Sequence, residues 1–307
     1  MRNKILVVAF AAVMLAGCSD NGSSTSTSGS SGGSSGSSTS TSTSGSTGSG
    51  SGSGSTGSTS TSGSGSGSGS SSGSGSSTGT ADWTCLGNET APTAGASTAV
   101  TLTFQDVQGG APMSGLTVKL CQASDTTCAN PDATGTTDST GQVVLADVPL
   151  NNTPYVGYAD VTGSNIPETL VYLPPFGSDP ALTLTIVNSA ELGLSGAALY
   201  GNPDTTDHGV IIGNVSDCAG HAASGVVISV DPTDTASGSA TTVFYVSSAV
   251  PQNSTSTVAS GQYVVTNVPP GDAETLTATN SNGDVTGIYT VVIKAGAVTT
   301  VIGFPNH

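Results

Sequence analysis

Basic residues are nearly missing from this chain: Lys and Arg together number four in 307 residues, against twenty Asp and Glu. A nucleic-acid-binding protein must neutralise a row of phosphates, so nucleic acid is a poor partner, and anionic lipid headgroups are disfavoured for the same reason. Aromatics are scarce too, at 4% with Trp83 the single Trp, and charged residues make up only 8%. The polar surface must therefore be mostly Thr, Ser, Asn and backbone. The longest apolar run at the N-terminus, Ile5 to Met14, falls short of the about 20 residues that a spanning helix needs, and nothing downstream comes closer. Imidazole bases are limited to His208, His221 and His307. In a chain this rich in Ser and Asp, a Ser/His/Asp set can always be assembled, so it carries no information. Composition argues for a protein that is not an enzyme and needs no cofactor.

The N-terminus has a short positive region (Arg2, Lys4), the apolar run, and then Leu15-Ala16-Gly17-Cys18. That layout is an export signal over residues 1–17. The tetrapeptide resembles the lipobox of bacterial lipoproteins, which implies that Cys18 becomes the lipidated first residue of the mature chain and that the membrane is a partner through this lipid. One acyl chain binds a bilayer marginally, whereas two or three on one Cys anchor stably. The alternative is an ordinary cleaved signal with a free Cys18. Ser19 rather than Asp follows the Cys; by the sorting rule of Gram-negative lipoproteins this implies the outer membrane or cell surface. Removal of Arg2 and Lys4 moves the formal charge from -16 to -18 and leaves only Lys119 and Lys294.

Residues 18–81 are almost entirely Gly, Ser and Thr, and from Asn21 to Ala81 there is no charged or aromatic residue. Such a segment buries too little apolar surface to offset the entropy of ordering it. The expectation is a disordered tether with a root-mean-square span of roughly 40 to 45 Å. Gly29 to Gly33 and Gly52 to Gly57 imitate a nucleophile elbow and a dinucleotide fingerprint, but neither lies between a strand and a helix, so both are discarded.

Four Cys follow the tether: Cys85, Cys121, Cys128 and Cys218. In an oxidising compartment an even number predicts two disulfides, and three connectivities are open. The favoured arrangement ties Cys85 to the Cys121/Cys128 pair and leaves Cys218 as the odd one out. Zinc is disfavoured, because Cys121 and Cys128 are too far apart for a zinc knuckle and lack a nearby His.

From residue 82 onward, short β-branched or period-two runs alternate with turn residues. The first half offers Thr101–Phe104, Leu116–Leu120, Gln142–Leu145, Leu170–Tyr172 and Leu182–Val187. The second offers Val210–Ile212, Val226–Val230, Val243–Val246, Tyr263–Val265, Leu276–Ala278, Ile288–Ile293 and Val298–Ile302. This even spacing predicts an all-β protein of two tandem β-sandwiches, over residues 82–200 and 201–307. Ser114-Gly115-Leu-Thr-Val118 matches Ser224-Gly225-Val-Val-Ile228 at an offset of 110, and Gly141–Pro149 matches Gly261–Pro269 at an offset of 120. The later copy therefore carries ten extra residues, within Asp231 to Ala259. Between the copies, 188–200 fits a short amphipathic helix that packs against a sandwich.

Each copy resembles the carboxypeptidase regulatory-like domain, a small transthyretin-like (prealbumin-like) sandwich of seven-stranded type. The first has Gly115-Leu-Thr-Val118, Thr137-Asp138-Ser-Thr-Gly141 and Val148-Pro149. The second has Gly225-Val-Val-Ile228, Ala259-Ser-Gly261 and Val268-Pro269-Pro-Gly271. Two departures stand out: Asn151 occupies the turn Gly position of the first copy, and the T-D pair is missing from the second. The resemblance implies a fold and little about function. A second family, the Cna-B type adhesin domain, carries an isopeptide-forming Lys in its first strand. Val100–Asp106 and Val210–Ser216 contain no Lys, which argues against a self-crosslinked module.

Asp204-Thr-Thr-Asp207-His208 is the best acidic cluster, but it lacks the spacing of an EF-hand, and a solvated loop with an Asx turn explains it more simply. Asp138 reads as a local backbone acceptor before a strand. Trp83, two residues before Cys85, reads as packing over a disulfide, with a glycan or protein contact as the alternative. Asn88, Asn151, Asn214 and Asn253 lie in N-x-S/T sequons, which mean little in a bacterial lipoprotein. The functional expectation is a non-enzymatic lipid-anchored envelope protein whose sandwiches serve structural or protein-binding roles. A glycan-binding surface adhesin is the alternative, and an accessory lipoprotein of hydrolase type is a weaker third reading.

Overall fold

The computed structural model describes residues 5–6, 81–88, 90–192, 200, 203–236, 238–247, 250–303 and 305. The lipobox with Cys18, the tether up to residue 80, His307 and residues 193–199 of the expected helix lie outside the described residues. No helix among the described residues is long and apolar enough to cross a membrane.

The described chain is nearly all strand. A two-residue strand, β1 (Ile5–Leu6), precedes the first copy, which contains β2 (Ser97–Asp106), β3 (Thr117–Gln122), β4 (Ala133–Thr136), β5 (Gln142–Pro149), β6 (Gly157–Thr162), β7 (Thr169–Tyr172) and β8 (Ala181–Ile186). The second contains β9 (Gly209–Val215), β10 (Val227–Asp231), β11 (Thr242–Ser247), β12 (Val250–Gln252), β13 (Gln262–Val268), β14 (Gly271–Thr279), β15 (Val285–Ile293) and β16 (Val298–Gly303). β2 shows why these runs form half-buried strands. Val100, Leu102 and Phe104 point inward, and Ala99, Thr101 and Thr103 point outward, the period of a pleated strand.

The two copies share one wiring. The order β8-β2-β5 in the first corresponds to β16-β9-β13 in the second, and β7-β6-β3 corresponds to β15-β14-β10. In each copy the first and last strands pair in parallel. The same buried threonine knots both. Thr137 accepts a hydrogen bond from the Leu116 N–H (2.9 Å) and donates to the Met113 carbonyl (2.8 Å); Thr257 accepts from Val226 (3.0 Å) and donates to Ala223 (2.7 Å). This corrects one sequence expectation. The threonine of the T-D pair persists in the second copy as Thr257, at the same offset of 120, and only the aspartate is replaced, by Val258. Gly141 and Gly261 follow in left-handed conformation (φ 74° and 65°), where a side chain would be strained. Asn151, at the expected glycine, also takes a positive φ of 51°, which Asn tolerates better than most residues.

The copies do not remain separate sandwiches. β16 pairs with β9 of its own copy and with β7 of the first, parallel to both, so a nine-stranded sheet runs through the two copies. Alternation along its strands divides the cores. Ile302, Val171, Ala159 and Val161 face the first core, beneath β8-β2-β5, while Val301, Leu170, Tyr172 and Tyr158 face the second, beneath β10-β14-β15. Each sandwich is thus completed with side chains from the other. The start of the helix after β8 is described: Asn188 Oδ1 accepts the Glu191 N–H (2.9 Å), and Glu191 Oε2 accepts the Asn188 N–H (3.2 Å). That reciprocal pair is a capping box.

Candidate functional site: the junction between the copies

The junction collects most of the chemistry-bearing side chains, and its first component is a clasp. Cys85 is bonded to Cys218, with their Cα atoms 5.6 Å apart, and Cys121 is bonded to Cys128, 5.5 Å apart. The expected link from Cys85 to the Cys121/Cys128 pair is wrong, and Cys218 is not the odd one out. The physical reason is the route of the chain: the segment before β2 runs along the second copy. There the Cys218 N–H donates to the Asp82 carbonyl (2.8 Å), the Asp82 N–H to Asp217 Oδ2 (3.1 Å), and the Cys85 N–H to Cys218 Sγ (3.0 Å). Cys121 and Cys128 instead close the turn that follows β3. Trp83 is half-buried against the second core.

The second component is ionic. Lys294, just after β15, pairs with Glu168 ahead of β7, and its Nζ lies 4.0 Å from Asp160 Oδ2 on β6. Asp160 is buried, its Oδ1 has no hydrogen-bond partner, and its β3 neighbour in register is Lys119. Lys119 and Lys294, the two lysines among the described residues, therefore act on one buried carboxyl. Burial raises the pKa of Asp160, and Lys294 pulls in the opposite direction. Nearby, the Val292 N–H donates to Tyr172 Oη across the copies (2.6 Å).

His208 forms the third component. Its Nε2 lies 2.9 Å from Asp234 Oδ2, and its Nδ1 lies 3.3 Å from Asp204 Oδ2 but off the hydrogen-bonding direction. With a carboxylate near each nitrogen and little exposure, the ring fastens the inter-copy loop to the Asp234 loop. Asp204 Oδ1 accepts the Thr206 and Asp207 N–H groups (3.0 and 3.4 Å), an Asx turn that holds its carboxyl below the usual range, mainly through Thr206. Among the described residues no group of three His, Cys, Asp or Glu side chains could hold a metal ion. His221 is exposed, 3.8 Å from Asp217. Asp138 Oδ1 takes the Thr140 hydroxyl and the Thr140 and Gln142 N–H groups, and these bonds, the hydroxyl above all, lower its pKa. A shallow open groove lies between the copies, lined by Val107, Thr185, Ile212, Asn214 and Thr300 among others.

The sequence supplied the cysteines, Asp138 and the Asp204/His208 loop, but not the Lys294–Asp160–Glu168 group. Asp160 sits in Gly-Tyr-Ala-Asp-Val-Thr, where the signal is a charged residue in an otherwise apolar strand pattern.

No family model and no curated protein matches the sequence. Among solved structures the chain is similar to the Bacillus anthracis TIE protein, with 12% identity over 68% of this chain and 34% of that one, at a TM-score of 0.23. It is also similar to the shaft pilin SpaA of Lactobacillus rhamnosus GG (13% identity, 69% and 98% coverage, TM-score 0.22) and to a streptococcal ancillary pilin (18%, 69% and 63%, TM-score 0.22). The chain spans about a third of the first of these. Overlap at these TM-scores is too loose to transfer any residue's role.

Proposed function

We propose that this is a non-enzymatic, lipid-anchored protein of the bacterial cell envelope, at the outer membrane or cell surface. In this reading Cys18 carries the lipid, residues 18–81 form the tether, and the two carboxypeptidase regulatory-like sandwiches present a fixed surface to another envelope protein. The observation that supports it best is β16, shared between the copies. It joins the two sandwiches into a single body, and the titratable groups of the junction serve to hold that body together. Envelope fractionation and intact-mass analysis of wild type and Cys18→Ala, with protease shaving of whole cells, test the reading. Lipidated, shaving-sensitive protein that leaves the membrane in the variant is the expected result; soluble, unlipidated wild type overturns it. Glycan binding is the competing role. Trp83, the strongest candidate for stacking on a sugar, is half-buried against the second core, which favours a protein partner. Saturable glycan-array binding lost in Trp83→Ala would reverse that preference.

A further inference from the structure

The route of the chain through the clasp closes a covalent ring. Cys85 and Cys218 are 133 positions apart, and every strand of the first copy, β2 to β8, lies between them together with β9. The chain before Cys85 and the chain after Cys218 lie outside. The two exits sit side by side, joined by the S–S bond and by the hydrogen bonds that link Asp82 and Cys85 to Asp217 and Cys218. Those three hydrogen bonds alone, each a modest net contribution, would separate well before a packed core. The covalent bond does not.

We infer that Cys85–Cys218 is a load bypass: tension between the N-terminal side and any point beyond Cys218 crosses from Cys85 to Cys218 through the disulfide, and the chain between them, which holds the first copy, is a closed ring that cannot be drawn out to its full length. The rest of the load path runs through the second copy and through the pairing of β16 with β7 in the ring. Gly303 of β16 lies opposite Val215 of β9, so a pull on Cys218 and a pull beyond Gly303 meet at one end of two parallel strands. That geometry peels hydrogen bonds one after another rather than shearing them together. The second copy therefore yields length while the ring stays closed, and any unfolding inside the ring adds none. The inference depends on the proposed tether only for where load arrives in the cell.

Single-molecule stretching of the full mature chain, lipid-free and held at its two ends, tests it. The oxidised wild type is expected to stop short of the Cys85→Ser/Cys218→Ser variant by about 420 to 450 Å, the ring at 3.3 to 3.6 Å per residue less the small loop that Cys121–Cys128 keeps closed. Equal final lengths would overturn the inference. Should the variant fail to fold, wild type is stretched before and after addition of a thiol reductant. Cys85 and Cys218 then take up two electrons and two protons as the reductant forms its own disulfide. Opening both bridges is expected to add about 440 to 480 Å, and no added length overturns the inference. Lipidation does not enter this measurement, so its failure and the failure of the anchoring proposal are told apart.

Discussion

The two copies solve one problem with different fourth strands. In the first, β4 extends the sheet that holds β3; in the second, the region with the ten extra residues becomes the β11–β12 hairpin and joins β13 in the opposite sheet. What both retain is the threonine knot and the parallel pairing of first and last strands. The comparison separates what the unit requires from what it tolerates. The link from β3 to β5, or from β10 to β13, can migrate between sheets, provided the buried hydroxyl still ties the turn before β3 or β10 to the turn before β5 or β13.

The disulfides sharpen that comparison most. Closure of the long Cys85–Cys218 ring removes about 5 kcal/mol of unfolded-state entropy, and the short Cys121–Cys128 loop only about 2 kcal/mol. Denaturant unfolding should therefore show the larger loss for Cys85→Ser/Cys218→Ser, and a reversed order would mean that the clasp does not form. Next come Thr137→Val and Thr257→Val. Each strands a buried N–H and a carbonyl and should cost about 2 to 3 kcal/mol, in nearly equal measure; a clear inequality would break the equivalence of the copies.

Smaller effects come from pH. Burial raises the folded-state pKa of Asp160, so the folded protein holds that proton more tightly than the unfolded chain. Stability from this group is then full below the unfolded value of about 4 and falls as pH rises through the folded value. Asp160→Asn should accordingly be more stable than wild type at pH 7, with the advantage gone below pH about 4, as read from unfolding midpoints. Asp138 has the opposite sign. Its pKa is lowered, so its contribution is present above about 4 and fades as pH falls. Asp138→Ala should flatten the acid side of the stability profile slightly, whereas Val258→Ala at the matching position should leave its shape unchanged.

Much of this architecture is legible in the sequence, for identifiable reasons. Strands such as β2, β8 and β16 announce themselves through β-branched alternation, and the offsets of 110 and 120 locate the insertion without any knowledge of contacts. β4 reads Ala-Thr-Gly-Thr and β12 reads Val-Pro-Gln, compositions that propensity assigns to turns; only pairing with a neighbour makes them strands. β6 is hidden by Gly157 and Asp160. Thr257 escapes notice because its aspartate neighbour has become Val258, although the hydroxyl is what the fold uses. The clasp and the pairing of β7 with β16 join residues more than a hundred positions apart, and local pattern carries no signal over that distance.

The position of β16 also orders events in time. It is the last of the described strands to leave the ribosome, yet Ile302 belongs to the first core and the strand covers the edge of β7. Until it arrives, the earlier copy has an open edge and an unfilled core position. Whichever part of the chain folds first, the earlier sandwich is therefore finished only once the last strand of the later one is in place.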